Sequence, residues 1–388
     1  MTLQSLWSKG FRPFFIGASV FAVISMSIWL SVYRFGVQLD LSGLSIFQWH
    51  AHEMLYGYAM AVIAGFLLTA AGNWTGEKTA DGAWLSLIFI FWVIARILMT
   101  QGTAYLVYAA AADMAFIAGL GYAVARPIIK VRQKRQALVL LLVALLAASN
   151  LVFYLGVAGL VDQGARLGIH SGLYLVLGMV LFMGRRVIPF FTERGVGYEV
   201  KLKNAHWNDI TTLVLFPLFL ISEVFFPRHL AGAFLAAALF ISNSIRINGW
   251  HTLGIWQKPL LWGLFAAFLM INLGFLLRSL SPVTELPGFL PVHAFAVGGV
   301  GIITMTMMAR VSLGHTGRSV HEAPPVMRYL LAAMVVTAFI RIFFPLFDAT
   351  NYQLWIVISG ALWIISFSIF SLYFMPMLWK PRADAKKP

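Results

Sequence analysis

Long apolar runs alternate with short polar segments along almost the whole chain. A helix that crosses a bilayer needs about 20 mostly apolar residues, and twelve runs of roughly this length are present. They lie at about 13–32, 51–72, 83–100, 103–125, 137–160, 167–190, 209–226, 230–249, 259–278, 289–309, 327–346 and 352–377. The pattern predicts an all-α polytopic membrane protein of about twelve transmembrane helices, with residues 1–388 forming a single transmembrane domain.

The composition favours a membrane protein over a soluble one. Hydrophobic residues make up 60% of the 388 residues and charged residues only 11%, whereas a soluble domain carries about 25% charged residues. Cysteine is absent, which excludes disulfides, thiolate-bound clusters and covalently attached c-type haem. The first apolar run is too long for the core of a signal peptide, so we expect it to be the first transmembrane helix.

The positions of the basic residues predict the orientation of the helices. With the N-terminus inside the cell, 22 of the 28 Lys and Arg residues lie in inside segments, four lie in outside segments and two lie within helices. Basic residues are retained on the cytoplasmic side, so we expect both termini in the cytoplasm and the chain in a bacterial inner membrane. The net charge of +14 is then explained by basic residues facing the lipid headgroups on the cytoplasmic side. We therefore expect the lipid bilayer as a partner and no nucleic acid.

This orientation places six ionisable side chains at a similar depth, in the outer half of the membrane. They are His50, His52, His170, His293, Arg96 and Arg341. Ionisable groups inside a membrane are costly unless they pair or line a site. Imidazole binds haem iron and copper well, and arginine can neutralise haem propionates. We therefore interpret the four histidines as metal ligands and all six residues as cofactor-binding.

The spacing of His50 and His52 limits what this pair can bind. Residues two apart on a regular helix point about 200° apart, so these two histidines cannot chelate one ion. Glu53 follows directly and is a candidate for orienting a ligand imidazole or relaying protons. Two alternatives stay open: a histidine at a helix end is often an interfacial residue, and Arg96 and Arg341 could instead pair with Glu223 or Asp113.

A second group of polar residues lies on the cytoplasmic side. Its candidate site residues are Arg186, His251, Arg310 and His315. The alternative interpretation is that these are ordinary loop and headgroup residues that follow the positive charge of the cytoplasmic face.

Several motifs follow one another in order along nearly the whole chain. They are Phe11–Phe15 (FRPFF), Trp49–Met54 (WHAHEM), Gly65–Ala70 (GFLLTA), Asn73–Gly76 (NWTG), Gly184–Thr192 (GRRVIPFFT), Pro259–Trp262 (PLLW) and Met308–Arg318 (MARVSLGHTGR). On these motifs the chain resembles the NnrS family. The resemblance implies a membrane protein containing haem and copper, linked to nitric oxide metabolism and denitrification.

The resemblance also assigns residues. The matching motif positions are His50, His52, Glu53, Arg186, Arg310 and His315, and His293 begins the helix that leads into the last motif. The chain departs from the family pattern after the PLLW motif, where Phe265 stands near the place of a family histidine and His251 lies upstream. Twelve helices with histidines on the second, sixth and tenth also suggest a relation to the haem–copper oxidase core, as an analogy at the level of the fold.

Together these features predict a haem-binding protein of nitric oxide metabolism. We expect one or two b-type haems, with His52 and His293 as the axial pair and with His50 and His170 on a second haem or on copper. Nitric oxide, or a related small gas, is the expected ligand, and a quinol or haem protein is the expected electron donor. The reaction would be that of a nitric oxide reductase-like oxidoreductase.

Two other functions stay open. The first is a non-catalytic sensor or scaffold that binds haem or nitric oxide without turnover. The second is a twelve-helix transporter for a metal or small solute, although the sequence shows no convincing inverted repeat.

Overall fold

The computed structural model describes residues 2–41, 43–284 and 286–384. These residues form helices and connecting loops without a β-strand. Lys386 and Lys387, which the charge pattern assigns to the inside, lie outside the described residues. A short helix, Thr2–Leu6, precedes the long ones.

Twelve long helices account for most of this part of the chain. They are α1 (Phe11–Phe35), α2 (Ile46–Thr75), α3 (Gly82–Leu98), α4 (Leu106–Lys130), α5 (Ala137–Val157), α6 (Gly164–Gly195), α7 (His206–Phe225), α8 (Leu230–Trp250), α9 (Pro259–Leu280), α10 (Phe289–His315), α11 (Val326–Phe347) and α12 (Tyr352–Trp379).

Each predicted run lies on one of these helices, so the predicted all-α polytopic fold is confirmed. Eleven helices in the described segments are long and apolar enough to cross a membrane, and α3 is shorter at 17 residues. The largest differences in limits occur where α6 and α10 continue past their apolar parts, to Gly195 and His315. Backbone hydrogen bonds favour continuing a helix into the polar interface, which hydrophobicity alone does not register.

The described helices group into two compact units. The first unit comprises Met1–Leu175, Val311–Arg318 and Phe367–Pro388, and the second comprises Val176–Arg310 and Ser319–Ser366. The first unit therefore contains α1 to α5 with the beginning of α6 and the ends of α10 and α12. The second contains the rest of α6, helices α7 to α9 and α11, and most of α10 and α12.

In the first unit, Arg12 connects the beginning of α1 to the end of α12. Its side chain is buried, and its Nη1 donates to the carbonyl oxygens of Leu378 at 2.8 Å and Lys380 at 2.6 Å. The last carbonyls of a helix have no partner within the helix and carry partial negative charge. Arg12 therefore caps α12 with a full positive charge.

Helices α2 and α10 share an unusual local design. Each contains a π-helical segment, Glu53–Ala59 and Ala294–Gly301, and each segment begins directly after a histidine. A single shift in numbering overlays His52 on His293, Gly57 on Gly298, Thr75 on Thr316 and Gly76 on Gly317. Both final glycines have positive φ, 71° and 77°. Since π-helical segments are rare and concentrate at functional sites, this repeat makes the two histidines candidate functional residues.

Candidate functional site

Four ionisable side chains meet inside the first unit, and we refer to His52, Glu53, Arg96 and Asp113 as the quartet. His52, Glu53 and Asp113 have no exposed surface, and Arg96 is 5% exposed. Nη1 of Arg96 donates to Oε1 of Glu53 at 2.6 Å, and its Nη2 lies 2.5 Å from Oδ1 of Asp113. One guanidinium therefore pairs with two buried carboxylates, which would be very costly inside a membrane if they were unpaired.

His52 has a protein partner on each ring nitrogen. Nδ1 lies 2.8 Å from Oε1 of Glu53, and Nε2 lies 2.9 Å from Oδ1 of Asn150. The ring also stacks on Phe153, with 4.2 Å between the ring centroids. A histidine that binds haem iron or copper directs a nitrogen lone pair at the metal, whereas both ring nitrogens of His52 face protein atoms in this arrangement.

Helix α5 contributes partners that the sequence analysis did not single out. Nδ2 of Asn150 and the hydroxyl of Tyr154 each donate to Oδ2 of Asp113, both at 3.0 Å. The one sequence signal was the Ser149-Asn150 pair, two polar residues in an otherwise apolar run. The alternative that Arg96 pairs with Asp113 is confirmed by the 2.5 Å contact.

Four buried polar atoms of the quartet make no hydrogen bond among the described residues. Nη2 of Arg96 and Oδ1 of Asp113 contact each other as an ion pair at 2.5 Å, which leaves Oε2 of Glu53 and Nε of Arg96 without either kind of contact. Buried polar groups are nearly always bonded to protein or to an ordered water. Oε2 of Glu53 is therefore the atom at which the quartet can exchange a hydrogen bond, or a proton, with a small molecule.

His50 lies in a different environment from His52. Its ring stacks on Trp29 of α1, with centroids 4.6 Å apart, and Trp29 in turn stacks on Tyr33 at 5.0 Å. The two histidines thus face different neighbours, as expected for residues two apart on a helix.

His170 and His293 share a hydrogen-bond geometry that His52 lacks. Nδ1 of His170 lies 2.9 Å from the carbonyl oxygen of Arg166, and Nδ1 of His293 lies 2.7 Å from that of Phe289. A carbonyl only accepts, so Nδ1 carries the hydrogen and, in a neutral ring, Nε2 carries the lone pair. This tautomer, fixed by a backbone carbonyl, is typical of histidines that bind metals.

In the second unit, Arg341 and His293 have a common neighbour. The guanidinium of Arg341 lies over the ring of Phe289, 5.1 Å from its centroid, and over Tyr352 at 5.9 Å. The carbonyl of Phe289 is the acceptor for His293. Glu223, an alternative partner for Arg341, instead accepts from Nε of Arg278 at 2.8 Å.

The comparison with known families agrees with the motifs. The model of the NnrS protein family matches residues 5–382. The chain belongs to the NnrS family. No curated protein matches the chain significantly. Since the NnrS match runs through all twelve helices, the quartet, His170 and His293 all lie within the part of the chain that defines the family.

The resemblance implies haem and copper, and the described residues of this NnrS chain fit these two groups differently. Among the described residues, no group of three or more His, Asp or Glu side chains is placed to bind a metal ion. A copper site built from three or more such ligands therefore does not fit this arrangement. A b-type haem takes one or two axial ligands from the protein, and the tautomers of His170 and His293 fit that role.

The cytoplasmic-side residues do not gather into one cluster in either unit. In the second unit, Arg186 packs over Phe182 at 4.4 Å, Arg310 packs over Phe191 at 3.7 Å, and Nε2 of His251 accepts from Trp256. In the first unit, His315 packs on Phe11 with 5.5 Å between the centroids. The ends of α6 and α10 also repeat each other: Arg186, Val187, Thr192 and Arg194 overlay Arg310, Val311, Thr316 and Arg318.

Arg382, which follows the end of α12, contacts His315 at the end of α10. Nη1 of Arg382 donates to the carbonyl oxygen of His315 at 3.4 Å. Nε and Nη2 of Arg382 also donate to the carboxylate of Asp384, and these hydrogen bonds lower the pKa of Asp384. The segment after α12 thus contacts the end of α10 through a hydrogen bond from Arg382.

The second unit contains an ionic cluster around Asp209 that was not anticipated from the sequence. Asp209 accepts from Arg185 at 3.0 Å and from Arg246 at 3.1 Å. Arg246 is 3% exposed and also donates to the side chains of Asn243 and Thr212. The sequence signal was the pair of polar stretches at the beginning of α7 and the end of α8. Their basic residues were assigned to the cytoplasmic face, and their pairing was not considered.

Proposed function

We propose that this NnrS-family protein binds b-type haem in a bacterial inner membrane and acts in nitric oxide metabolism, with His170 as a ligand in the first unit and His293 as a ligand in the second, each taken within its own unit. The observation that carries the proposal is the shared geometry of the two rings, whose Nδ1 atoms donate to the carbonyls of Arg166 and Phe289. That bond orients the ring and increases the basicity of Nε2. Family membership supports the link to nitric oxide.

Arg341 has a defined task in this proposal. Its guanidinium stays close to His293 because it packs on Phe289. A guanidinium offers paired donors that suit a carboxylate, so we assign Arg341 to a haem propionate. Haem supplies, when bound, an iron that can take nitric oxide and exchange electrons.

Glu53 has the second task. Its Oε1 is occupied by Arg96, but its Oε2 has no partner among the described residues. We propose that Oε2 holds an ordered water and passes protons, in an oxidoreductase that receives electrons from a quinol or a haem protein. We derive no step through copper, because no fitting set of ligands is present in the described residues.

Spectroscopy of the purified protein tests the proposal. We expect a Soret band and a reversible change between oxidised and reduced spectra, with perturbation by nitric oxide under anaerobic conditions. His170→Ala and His293→Ala should each lower the ratio of haem to protein, while Arg166→Ala, which keeps its backbone carbonyl, should not. A wild-type protein without haem would rule the proposal out. A haem protein that binds nitric oxide but does not consume it with a quinol would be a sensor or scaffold instead.

A further inference from the structure

We infer that His52 is the second cation of an electroneutral buried quartet, with Arg96, Glu53 and Asp113, and not a ligand of haem or metal. The inference follows from which atoms can donate and which can only accept. It does not depend on whether the chain binds haem.

The two carboxylates of the quartet share one guanidinium. Arg96 is always charged, and it contacts both Glu53 at 2.6 Å and Asp113 at 2.5 Å. The positive guanidinium repels a proton from each oxygen that it contacts, so Oε1 of Glu53 and Oδ1 of Asp113 act as acceptors. Asp113 receives two further hydrogen bonds, from Tyr154 and Asn150, which is consistent with a full negative charge.

Asp113 fixes the orientation of the Asn150 amide. Its Nδ2 lies 3.0 Å from Oδ2 of Asp113, where only a donor is acceptable. The other atom of the amide, Oδ1, must therefore face His52, at 2.9 Å. Exchanging the two amide atoms would bring an oxygen against the carboxylate of Asp113 and is excluded by repulsion.

The neighbours of His52 determine where its ring hydrogens lie. Nε2 faces the amide oxygen of Asn150, and Nδ1 faces the ionised Oε1 of Glu53. Both neighbours only accept, so both ring nitrogens must donate. A ring with two N–H groups carries one positive charge and has no lone pair for a metal.

The charges of the quartet then sum to zero, because His52 and Arg96 balance Glu53 and Asp113. Without one proton on the His52–Glu53 pair the cluster would bury a net negative charge, which a low-dielectric interior disfavours strongly. The guanidinium of Arg96, 2.6 Å from Oε1 of Glu53, repels a proton from that oxygen and so favours the ring of His52. The quartet joins residues of α2, α3 and α4, and α5 contributes Asn150 and Tyr154. Its role is to fix these helices around the beginning of the π-helical segment of α2.

The repeat in α10 supports the same conclusion. Glu53, which follows His52, has Ala294 as its counterpart after His293. Without a carboxylate at that position, Nδ1 of His293 donates to the carbonyl of Phe289. The residue after each histidine thus accounts for the difference between them. Glu53 makes His52 a charged structural residue, whereas Ala294 leaves His293 in the tautomer that can bind a metal.

A cycle of charge-removing variants tests the quartet, with the thermal midpoint and cofactor content as readouts. His52→Gln leaves a net charge of −1 and Glu53→Gln a net charge of +1, and we expect each to lower the midpoint by about 5 °C or more. The double variant is neutral again and should melt well above the value expected from adding the two losses. An additive or more severe loss in the double variant would overturn electroneutrality.

Cofactor content separates the quartet from a ligand role. Folded His52→Gln protein should keep the wild-type ratio of haem or metal to protein, with His293→Gln as the matched control. A loss in His52→Gln as large as in the control would refute the inference. If no variant folds, nitrogen-15 NMR of histidine-labelled wild type decides the matter. At pH 8, where exposed histidines are neutral, one histidine should show two protonated nitrogens, and absence of that signal would refute the quartet.

These measurements remain decisive if the proposed function fails. A wild-type protein without haem would remove the haem proposal, while the variant cycle and the NMR signal would still establish or refute the charge on His52.

Discussion

Nε2 of His52 lies 2.9 Å from the side-chain oxygen of Asn150, and neither residue has any exposed surface. An amide oxygen cannot donate, so this contact places a hydrogen on the atom that would otherwise carry the metal-binding lone pair. Asn150 of α5 therefore limits the ability of His52, in α2, to bind a metal.

Replacing Asn150 should destabilise the first unit. Asn150→Leu keeps a similar volume but leaves a donor of His52 and a lone pair of Asp113 without a partner. Each unsatisfied buried group costs about 1–3 kcal/mol, so we expect a clear fall in the thermal midpoint in detergent. Asn73→Leu, at an exposed position of α2, is the control and should melt like wild type. An unchanged midpoint for Asn150→Leu would contradict the network.

Arg96 should be the least replaceable member of the quartet. Arg96→Gln leaves two carboxylates facing one charged histidine, and breaking a buried ion pair typically costs about 3–5 kcal/mol. We expect little folded protein in the membrane fraction by fluorescence-detected size exclusion. Arg96→Lys should rescue only part of the yield, because an ammonium cannot bridge both carboxylates in the same way. Arg34→Gln, at an exposed position, should leave the yield unchanged, and an equal yield for Arg96→Gln would show that the pairing is dispensable.

Arg341 should affect haem retention without affecting the fold. Arg341→Gln removes a charge-assisted bond to a propionate, worth about 1.5–3 kcal/mol, so haem should dissociate roughly ten- to a hundredfold more readily to an acceptor such as apomyoglobin. Arg328→Gln lies on the same helix at an exposed position and should transfer haem at the wild-type rate. Equal rates for both variants would remove Arg341 from the haem site.

Arg12 should protect the end of α12 from hydrogen exchange. Arg12→Ala removes the donor to the carbonyls of Leu378 and Lys380, so hydrogen exchange should increase in the peptide that spans them. Lys9→Ala, an exposed change close by, should leave that peptide protected. Wild-type protection in Arg12→Ala would mean that α12 ends in the same way without its cap.

The predicted orientation can be checked directly because the chain has no cysteine. A membrane-impermeant maleimide added to intact spheroplasts should label Gln38→Cys, between α1 and α2, and should not label Lys201→Cys, between α6 and α7. Both should react after lysis. The reverse pattern would invert every depth inferred from the positions of Lys and Arg.

The helices could be predicted because each span requires its own apolar run, a property that is local in sequence. Their ends could not, since Glu193, Arg194 and His315 are polar residues that nevertheless continue helices. The π-helical segments had no hydrophobic signal either. They became apparent only when the backbone showed that both begin directly after a histidine.

The candidate site was predicted as a set of residues and not as a set of contacts. His52, His170 and His293 look alike in sequence, but one ring lies between two acceptors and the others donate to the preceding turn. The difference depends on the rotation of α5, which aims Asn150 at His52. Likewise, Arg278 is one of the four basic residues that the charge pattern places in outside segments, and tertiary packing lets it donate to the carboxylate of Glu223.

The cap on α12 also has a consequence for biosynthesis. Leu378 follows Arg12 by 366 residues, so the guanidinium is made with the first helix and meets its acceptors only when the last helix has been synthesised. During insertion of the intervening helices, Arg12 must remain in the headgroup layer, where water can solvate it. Burial of this early charge is therefore complete only once α12 is present, and a chain that stops before α12 would lack both carbonyl acceptors of Arg12.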